Sequence, residues 1–468
     1  MKGKKITYLF ILLILSLVIL SCDDIFHDAG KILESVRENN DFNSQRDPQK
    51  IIIGGYFKYN YNGVDHEALA VLDGNGEFIE GALDYTTYGI YGDGSGYWGI
   101  HDMELTADTL YVAGNFQGYA STSAYTSFDD KYKMLMRFNY DGASLSHDSL
   151  YIPANDPTLS SSIYSIQLLN DNSLVIGGDF YDSGGPWINR FTVLDSVGTV
   201  DGGLVLDSTV NDLFYIAEEN ILLVAGHFSS VNALPDFYQG FVVVNMTTDE
   251  IFPPGSFLLD SPDDPLIITE IFDIELSDND GVIELFIGGQ DYNAPSPPVG
   301  NTLWGVLRKY VFNGTQFVSD SAFNSRFHDV ELSRDAESYS LYFDNVYTIA
   351  TDSKGFIYLG GSFSGIKDIN NNEHKGIMRI TSNGMIDPTF NPEISDDMNT
   401  PQIYDIQIQA NGKILVAGQF YDGRANGILR LTADGNIDES FHRYALPSDP
   451  MINTPAVYSI IIEEEPEE

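Results

Sequence analysis

The sequence predicts an all-β chain folded as a seven-bladed β-propeller of four-stranded antiparallel blades. Three observations predict it. A strand ending in glycine recurs seven times, partner strands accompany it in a constant order, and the chain ends on the strand that its first repeat lacks. Composition agrees: 43 Gly serve tight turns, and 28 Tyr with 28 Phe suit a pleated, half-buried surface.

The recurring element is an apolar run closed by Gly and, in most copies, followed by an aromatic. It occupies residues 51–57, 110–116, 174–180, 222–228, 285–291, 357–363 and 414–420. From Gly55 to Gly418 the copies lie about 60 residues apart on average, and self-similarity at a fixed period outranks a reading of three domains from length alone. An alternating strand precedes most copies, best seen at 163–168, 346–349 and 403–408. A third strand follows (136–138, 378–380, 429–431), then a turn at Asp141-Gly142, Asn383-Gly384 or Asp434-Gly435. A fourth short segment closes the unit at 386–390 and 437–441. Four antiparallel strands joined by tight turns make one propeller blade.

The run at 411–441, NGKILVAGQF followed by ILRLTADGNIDESF, resembles the delta-60 repeat, a β-propeller family of unknown function common in Bacteroidetes proteins. The resemblance extends over residues 50–468. It is close in the last two repeats and looser in the first five, where the terminal Asp-x-x-Phe is mostly lost. It implies a fold and a lineage, and no activity.

The ends of the chain point to a closed ring. The first repeat starts at Ile51 with no alternating strand before it, while residues 457–462 match 163–168 almost residue for residue. The last strand is therefore expected to complete blade one, which removes the open edges of the ring.

Strand parity sorts the connections. First-to-second and third-to-fourth turns share one face and are short, as at 410–413 and 434–435. Second-to-third and blade-to-blade connections share the other face and include the long stretches 85–98, 117–131, 181–187, 229–239, 291–301, 324–343 and 364–375. Insertions gathered on one face of a repeat protein mark its binding face. Tyr91, Trp98, Tyr125 and Trp187 stand in or beside these connections and are the candidate ligand contacts. Exposed rings beside Asp and Asn suit the C–H faces and hydroxyls of a sugar, and equally a protein partner.

Other features read as structural. Arg137, Arg190, Arg308, Arg379 and Arg430 recur at or near one repeat position, which points to strand tying. Asp368-x-Asn370-x-Asn372 begins like a calcium loop, but Glu373 stands where the turn glycine belongs. Asp278 to Gly281 reads as a hairpin turn. No metal site, cofactor or catalytic motif is expected: the eight His are scattered, and neither H-E-x-x-H nor G-x-S-x-G occurs.

The N-terminus carries an address. Lys2, Lys4 and Lys5 precede a mostly apolar run from Ile6 to Leu20, too short for a spanning helix. Ile19-Leu20-Ser21-Cys22 resembles a lipobox, and Cys22 is the chain's only cysteine. Residues 1–21 are thus expected to be a lipoprotein signal peptide, and 22–49 a lipidated N-terminus and flexible tether. The following Asp23-Asp24 resembles the surface-export signal of Bacteroidetes lipoproteins. In enterobacteria, acidic residues there resemble inner-membrane retention, so a periplasm-facing location is the alternative.

With 24 Lys+Arg against 68 Asp+Glu, the formal charge of −44 excludes a phosphate-tracking nucleic-acid binder. Attachment to an anionic membrane then falls to the lipid on Cys22. The expected function is a non-catalytic, outer-membrane, surface-exposed propeller that binds an extracellular glycan or protein through its long-loop face. The alternatives are a propeller hydrolase or lyase acting on extracellular polysaccharide, and a structural or assembly subunit of an envelope complex.

Overall fold

The computed structural model describes residues 50–463 apart from 62–63, 84–88, 92–97, 117, 121–127, 130–133, 152–159, 182–188, 199, 233–239, 253–256, 260–269, 280, 292–303, 329–344, 365, 395–399, 422–425 and 443–454. Seven antiparallel sheets form a ring. In blades two to seven an inner strand lies at the axis and the blade strands that follow it run outward in chain order. Blade two shows the unit: Ile100–Leu105 is innermost, then Thr109–Gly114, Leu135–Tyr140 and Leu145–His147.

Blade one is assembled from both ends of the chain, as expected. Its second strand, Lys50–Tyr61, pairs on one side with Val64–Asp73 and on the other with the C-terminal Ala456–Glu463. The inner strands then touch in sequence around the ring, and Ala456–Glu463 contacts both Ile100–Leu105 of blade two and Gln402–Ile408 of blade seven.

The fourth strand varies. It is a full pairing in blades two to five, but in blades one, six and seven it shrinks to one bridge: Leu72 with Phe78, Ile380 with Ile386, and Leu431 with Ile437. Blade five gains a fifth strand, Leu258–Leu259, parallel to its outer strand Phe317–Ser319.

The apolar core is not central. It is divided into clusters at the seams, where the face of one blade packs on the next. Between blades seven and one, Leu415 and Ile428 meet Ile51, Ile53, Val457 and Ile460. The repeat glycine sets how closely the strands approach there. A Cβ on Gly418 would lie 2.0 Å from the Gln402 carbonyl oxygen, and one on Gly361 would lie 1.8 Å from that of Asn345. Only a hydrogen side chain fits against the start of the inner strand.

That glycine sits at a β-bulge present in all seven blades. In blade two, Ile100 pairs with Gly114 and Asp102 with Ala113, so His101 is the extra residue. The corresponding residues are Tyr164, Asn211, Phe272, Tyr347, Tyr404 and Tyr458. Plain alternation, as read from the sequence, would send neighbouring side chains to opposite faces. The bulge breaks that period and turns two consecutive residues toward the axis.

Candidate functional site: the axial channel and the long-loop face

The bulges build two layers around the axis. In the first layer rings follow one another through six blades. Ring centroids lie 5.2 Å apart for Tyr164–His101, 5.0 Å for His101–Tyr458, 4.9 Å for Tyr458–Tyr404, 5.4 Å for Tyr404–Tyr347 and 5.2 Å for Tyr347–Phe272. Asn211 of blade four fills the seventh place, and its amide donates to the Ile271 carbonyl. Every ring of this collar is partly exposed. The collar lies near the start of each inner strand, which the blade-to-blade connections enter, so it stands at the mouth on the long-loop face.

Beneath the collar the next residues are Asp102, Ser165, Asp212, Asp273, Thr348, Asp405 and Ser459. Each aspartate clamps the following blade. The N–H groups of Ile166, Ile274, Ile349 and Ile460 donate to Oδ2 of Asp102, Asp212, Asp273 and Asp405 at 2.8, 2.9, 2.5 and 2.6 Å. One turn further in, Glu104 accepts from Gln167, and Glu275 accepts from the Thr351 hydroxyl.

Enclosure in the ring disfavours charge on these acids. Burial raises Asp102 to about 6 despite the N–H bonds from Ile166 and Met103, and raises Asp405 to about 6. Burial, with the nearby Asp102 charge, raises Glu104 to about 8; burial and the Asp273 charge raise Glu275 to about 8. Asp212 is pushed well up by burial and by Asp273. Burial also raises Asp273 to about 7, against the N–H bond from Ile349. Burial lowers His101 to about 4, so its imidazole is neutral, and its buried Nε2 has no hydrogen-bond partner among the described residues.

The opposite face is tied down. Arg137, Arg379 and Arg430 occupy one register position, opposite Tyr111, Tyr358 and Leu415. Each pairs with an aspartate of its own blade (Asp148, Asp387, Asp438) and reaches the third-to-fourth turn of the next blade, donating to the carbonyls of Ser196, Ala433 and Gly74 at 3.1, 2.7 and 2.6 Å. The Asp-x-x-Phe segment is the receptacle: Arg379 lies 4.6 Å from the Phe390 ring and Arg430 4.8 Å from Phe441. Blade two keeps it as Asp148-Ser-Leu-Tyr151, with Arg137 4.2 Å from the Tyr151 ring. In blade five the position belongs to Lys309, which donates to the Ser382 carbonyl, while Arg308 stands one residue away. Arg190 is likewise off register, since the equivalent residue of blade three is Val193.

On the long-loop face, two connections fold together. Gly89–Tyr91 from the first-to-second blade connection pairs with Gly118–Ala120 of blade two, which pairs with Phe128–Asp129. Tyr91 therefore ends a strand of this accessory sheet, and the neighbouring Ile90 is buried in the seam core. Trp98 lies half-buried against that core, its ring edge-on to Tyr56 at 6.5 Å. Tyr125, Trp187, Cys22 and the whole of 1–49 lie outside the described residues.

The remaining readings fit their turns. Asp368 Oδ1 accepts the N–H groups of Asn370 and Asn372, closing a hairpin between Ile366–Lys367 and Glu373–His374. Asp278 accepts from Gly281 at 2.6 Å in the hairpin between Glu270–Asn279 and Val282–Asp291. Among the described residues no group of three or more His, Cys, Asp or Glu is placed to hold a metal ion, and no helix is long and apolar enough to cross a membrane.

The aromatic and acidic layers are what the sequence reading missed. Their signal was the tyrosine and aspartate repeated at the second and third positions of the inner strands. The bulge that turns both toward the axis leaves no mark in a period-two pattern.

Two solved structures are similar in outline. The extracellular domain of a one component system from B. thetaiotaomicron aligns at 13% identity and a TM-score of 0.26, covering 82% of this chain and 46% of that one. The chain thus spans about half the length of that relative. A protein of unknown function from Bacteroides caccae aligns at 8% identity and a TM-score of 0.29, covering 88% and 98%. No curated protein matches the sequence. Residues 355–390 and 409–441 match the model described as a domain of unknown function (DUF5122) beta-propeller. The chain is a seven-bladed β-propeller, and the match to the DUF5122 beta-propeller model falls on its sixth and seventh blades.

Proposed function

We propose that the protein is a lipid-anchored, surface-exposed binding propeller that takes an extracellular glycan or protein on its long-loop face and carries out no reaction on it. The asymmetry of the two faces supports this reading. Arginine and lysine contacts from blade to blade lock the short-turn face, whereas the long connections, which join strands at the opposite mouth, depart from the repeat. A residue that the ring does not repeat is not needed to build the ring. Tyr91, Trp98, Tyr125 and Trp187 are the proposed contacts.

Glycan-array and pull-down binding, measured beside melting for the four alanine variants, tests the site. A ring stacked on a ligand contributes about 0.5–1.5 kcal/mol beyond its buried area, so binding by Tyr91→Ala, Tyr125→Ala and Trp187→Ala should fall by up to about tenfold with little change in melting. Trp98→Ala should weaken binding and also lower stability, because its ring packs on Tyr56. Loss of stability without a specific loss of binding overturns the site. Depolymerisation of a polysaccharide by the purified protein replaces the binder with an enzyme. The anchor is tested separately: Cys22→Ala should abolish incorporation of labelled fatty acid. Neutral residues in place of Asp23 and Asp24 should reduce protease access on whole cells at constant lipoprotein.

A further inference from the structure

We propose that the axial channel is a binding site for a primary ammonium group, as carried by an alkylamine, a lysine side chain or a chain N-terminus. The site is distinct from the loops and stands whether or not they bind a glycan.

Three features converge on it. The collar supplies aromatic surface on six sides. Neighbouring centroids 4.9–5.4 Å apart in a seven-fold ring place each centroid about 6 Å from the axis, and a cation is drawn to an aromatic ring over about that distance. Directly below lies the acid layer of Asp102, Asp212, Asp273 and Asp405, each accepting a backbone N–H of the following blade. The third feature is His101, in the collar between Tyr164 and Tyr458. Its buried Nε2 has no hydrogen-bond partner among the described residues, and the ring is neutral.

The chemistry selects among cations. Rings at the mouth favour a cation with an organic stem over a strongly hydrated metal ion. Carboxylates beneath favour one that keeps N–H donors. An ammonium group descending through the collar would donate to Asp273 and displace a proton that burial keeps on the acid layer. Binding is then coupled to proton release, and it weakens once the acids are protonated. The groups that set this balance are Asp102, Asp212, Asp273 and Asp405, with Glu104 and Glu275 below.

The test is calorimetric titration of the full chain with n-butylammonium chloride at pH 7, in two buffers of different ionisation enthalpy. Sodium chloride at equal ionic strength is the control. The expected result is saturable binding whose heat differs between the buffers, showing that protons are released. Affinity should fall at least tenfold at pH 5, in Tyr404→Leu and in Asp273→Asn. Glu275→Gln replaces Asp273→Asn if circular dichroism shows that variant unfolded. Heats that sodium chloride reproduces, or an affinity unchanged by both the ring and the acid substitution, overturn the proposal.

Discussion

Asp405 Oδ2 accepts the backbone N–H of Ile460 at 2.6 Å, so a carboxylate of blade seven holds the strand that completes blade one. The same contact recurs from Asp102, Asp212 and Asp273 to the blade that follows each. The acids of the channel thus join blades, and the seam between blades seven and one is built like those after blades two, four and five. A second tie crosses nearby. Lys50 Nζ lies 3.4 Å from Glu463 and donates to the Tyr140 hydroxyl at 3.0 Å, linking the first described residue, the last strand and blade two.

Deleting residues 456–468 should therefore destabilise the whole ring. The deletion removes Val457 and Ile460, both buried at the seam, and each truncation of that kind costs about 2–5 kcal/mol. It also exposes the edge of Lys50–Tyr61. Deleting 464–468 alone should leave melting unchanged, and the control begins after Glu463 because that side chain is engaged. Equal melting of both truncations and the parent chain would refute ring closure by the last strand.

Arg430→Ala should cost about 3–5 kcal/mol, the usual effect of removing one partner from a buried ion pair. Its side chain is wholly buried, and it holds Asp438 and the Gly74 carbonyl together. Arg137 occupies the same repeat position but is 22% exposed, so Arg137→Ala should cost roughly 1–2 kcal/mol. Chemical denaturation of both variants checks the order. Equal losses would mean that solvent screening does not separate the two latches.

Much of this was legible in the sequence, for physical reasons that differ by feature. Seven blades and ring closure were readable because a buried second strand needs a continuous apolar run, and because 457–462 is a strand without a blade. The tying role of Arg379 and Arg430 was readable from recurrence. Recurrence did not distinguish Arg308 from Lys309, since neighbours on a strand differ only in the face they reach. The collar and acid layer were hidden by the bulge. Period-two reasoning puts Tyr404 and Asp405 on opposite faces, and the extra residue opposite Gly418 and Ala417 puts both on the axis.

That bulge makes Gly418 a sharp test. Its added Cβ would meet the Gln402 carbonyl oxygen at 2.0 Å, so Gly418→Ala must push the inner strand off its partner and should cost about 3 kcal/mol or more. Gly142 has φ +78° and open space around it, so Gly142→Ala pays only for backbone strain, about 1 kcal/mol. Melting of the two variants side by side reads the difference. A smaller loss for Gly418→Ala would remove close approach as the reason for the repeat glycine.

The two sets of carboxyls give stability a maximum on the acid side of neutrality. In the channel, burial first, with neighbouring charge, raises Asp102 and Asp405 to about 6, Asp273 to about 7, and Glu104 and Glu275 to about 8. A carboxyl held above its unfolded value binds its proton more tightly when folded. Its contribution is complete below about pH 4 and is lost as pH rises through about 6 to 8. On the turn face, Asp438 is displaced the other way. Burial opposes the shift, but the Ser440 hydroxyl and N–H together with Arg430 hold it down to about 2. Its contribution is present above about pH 4 and is lost as pH falls toward 2. The melting temperature should therefore climb as pH is lowered from about 8 to about 5 and collapse below about 3. Asp273→Asn should flatten the alkaline limb, because one buried group that must ionise has been removed, and should leave the acid collapse in place. Asp438→Asn should do the reverse, lowering stability near neutrality and blunting the acid collapse. A melting profile that rises steadily from pH 5 to pH 9 would show that the channel acids are ionised in the folded ring, and would reverse the sign argued here.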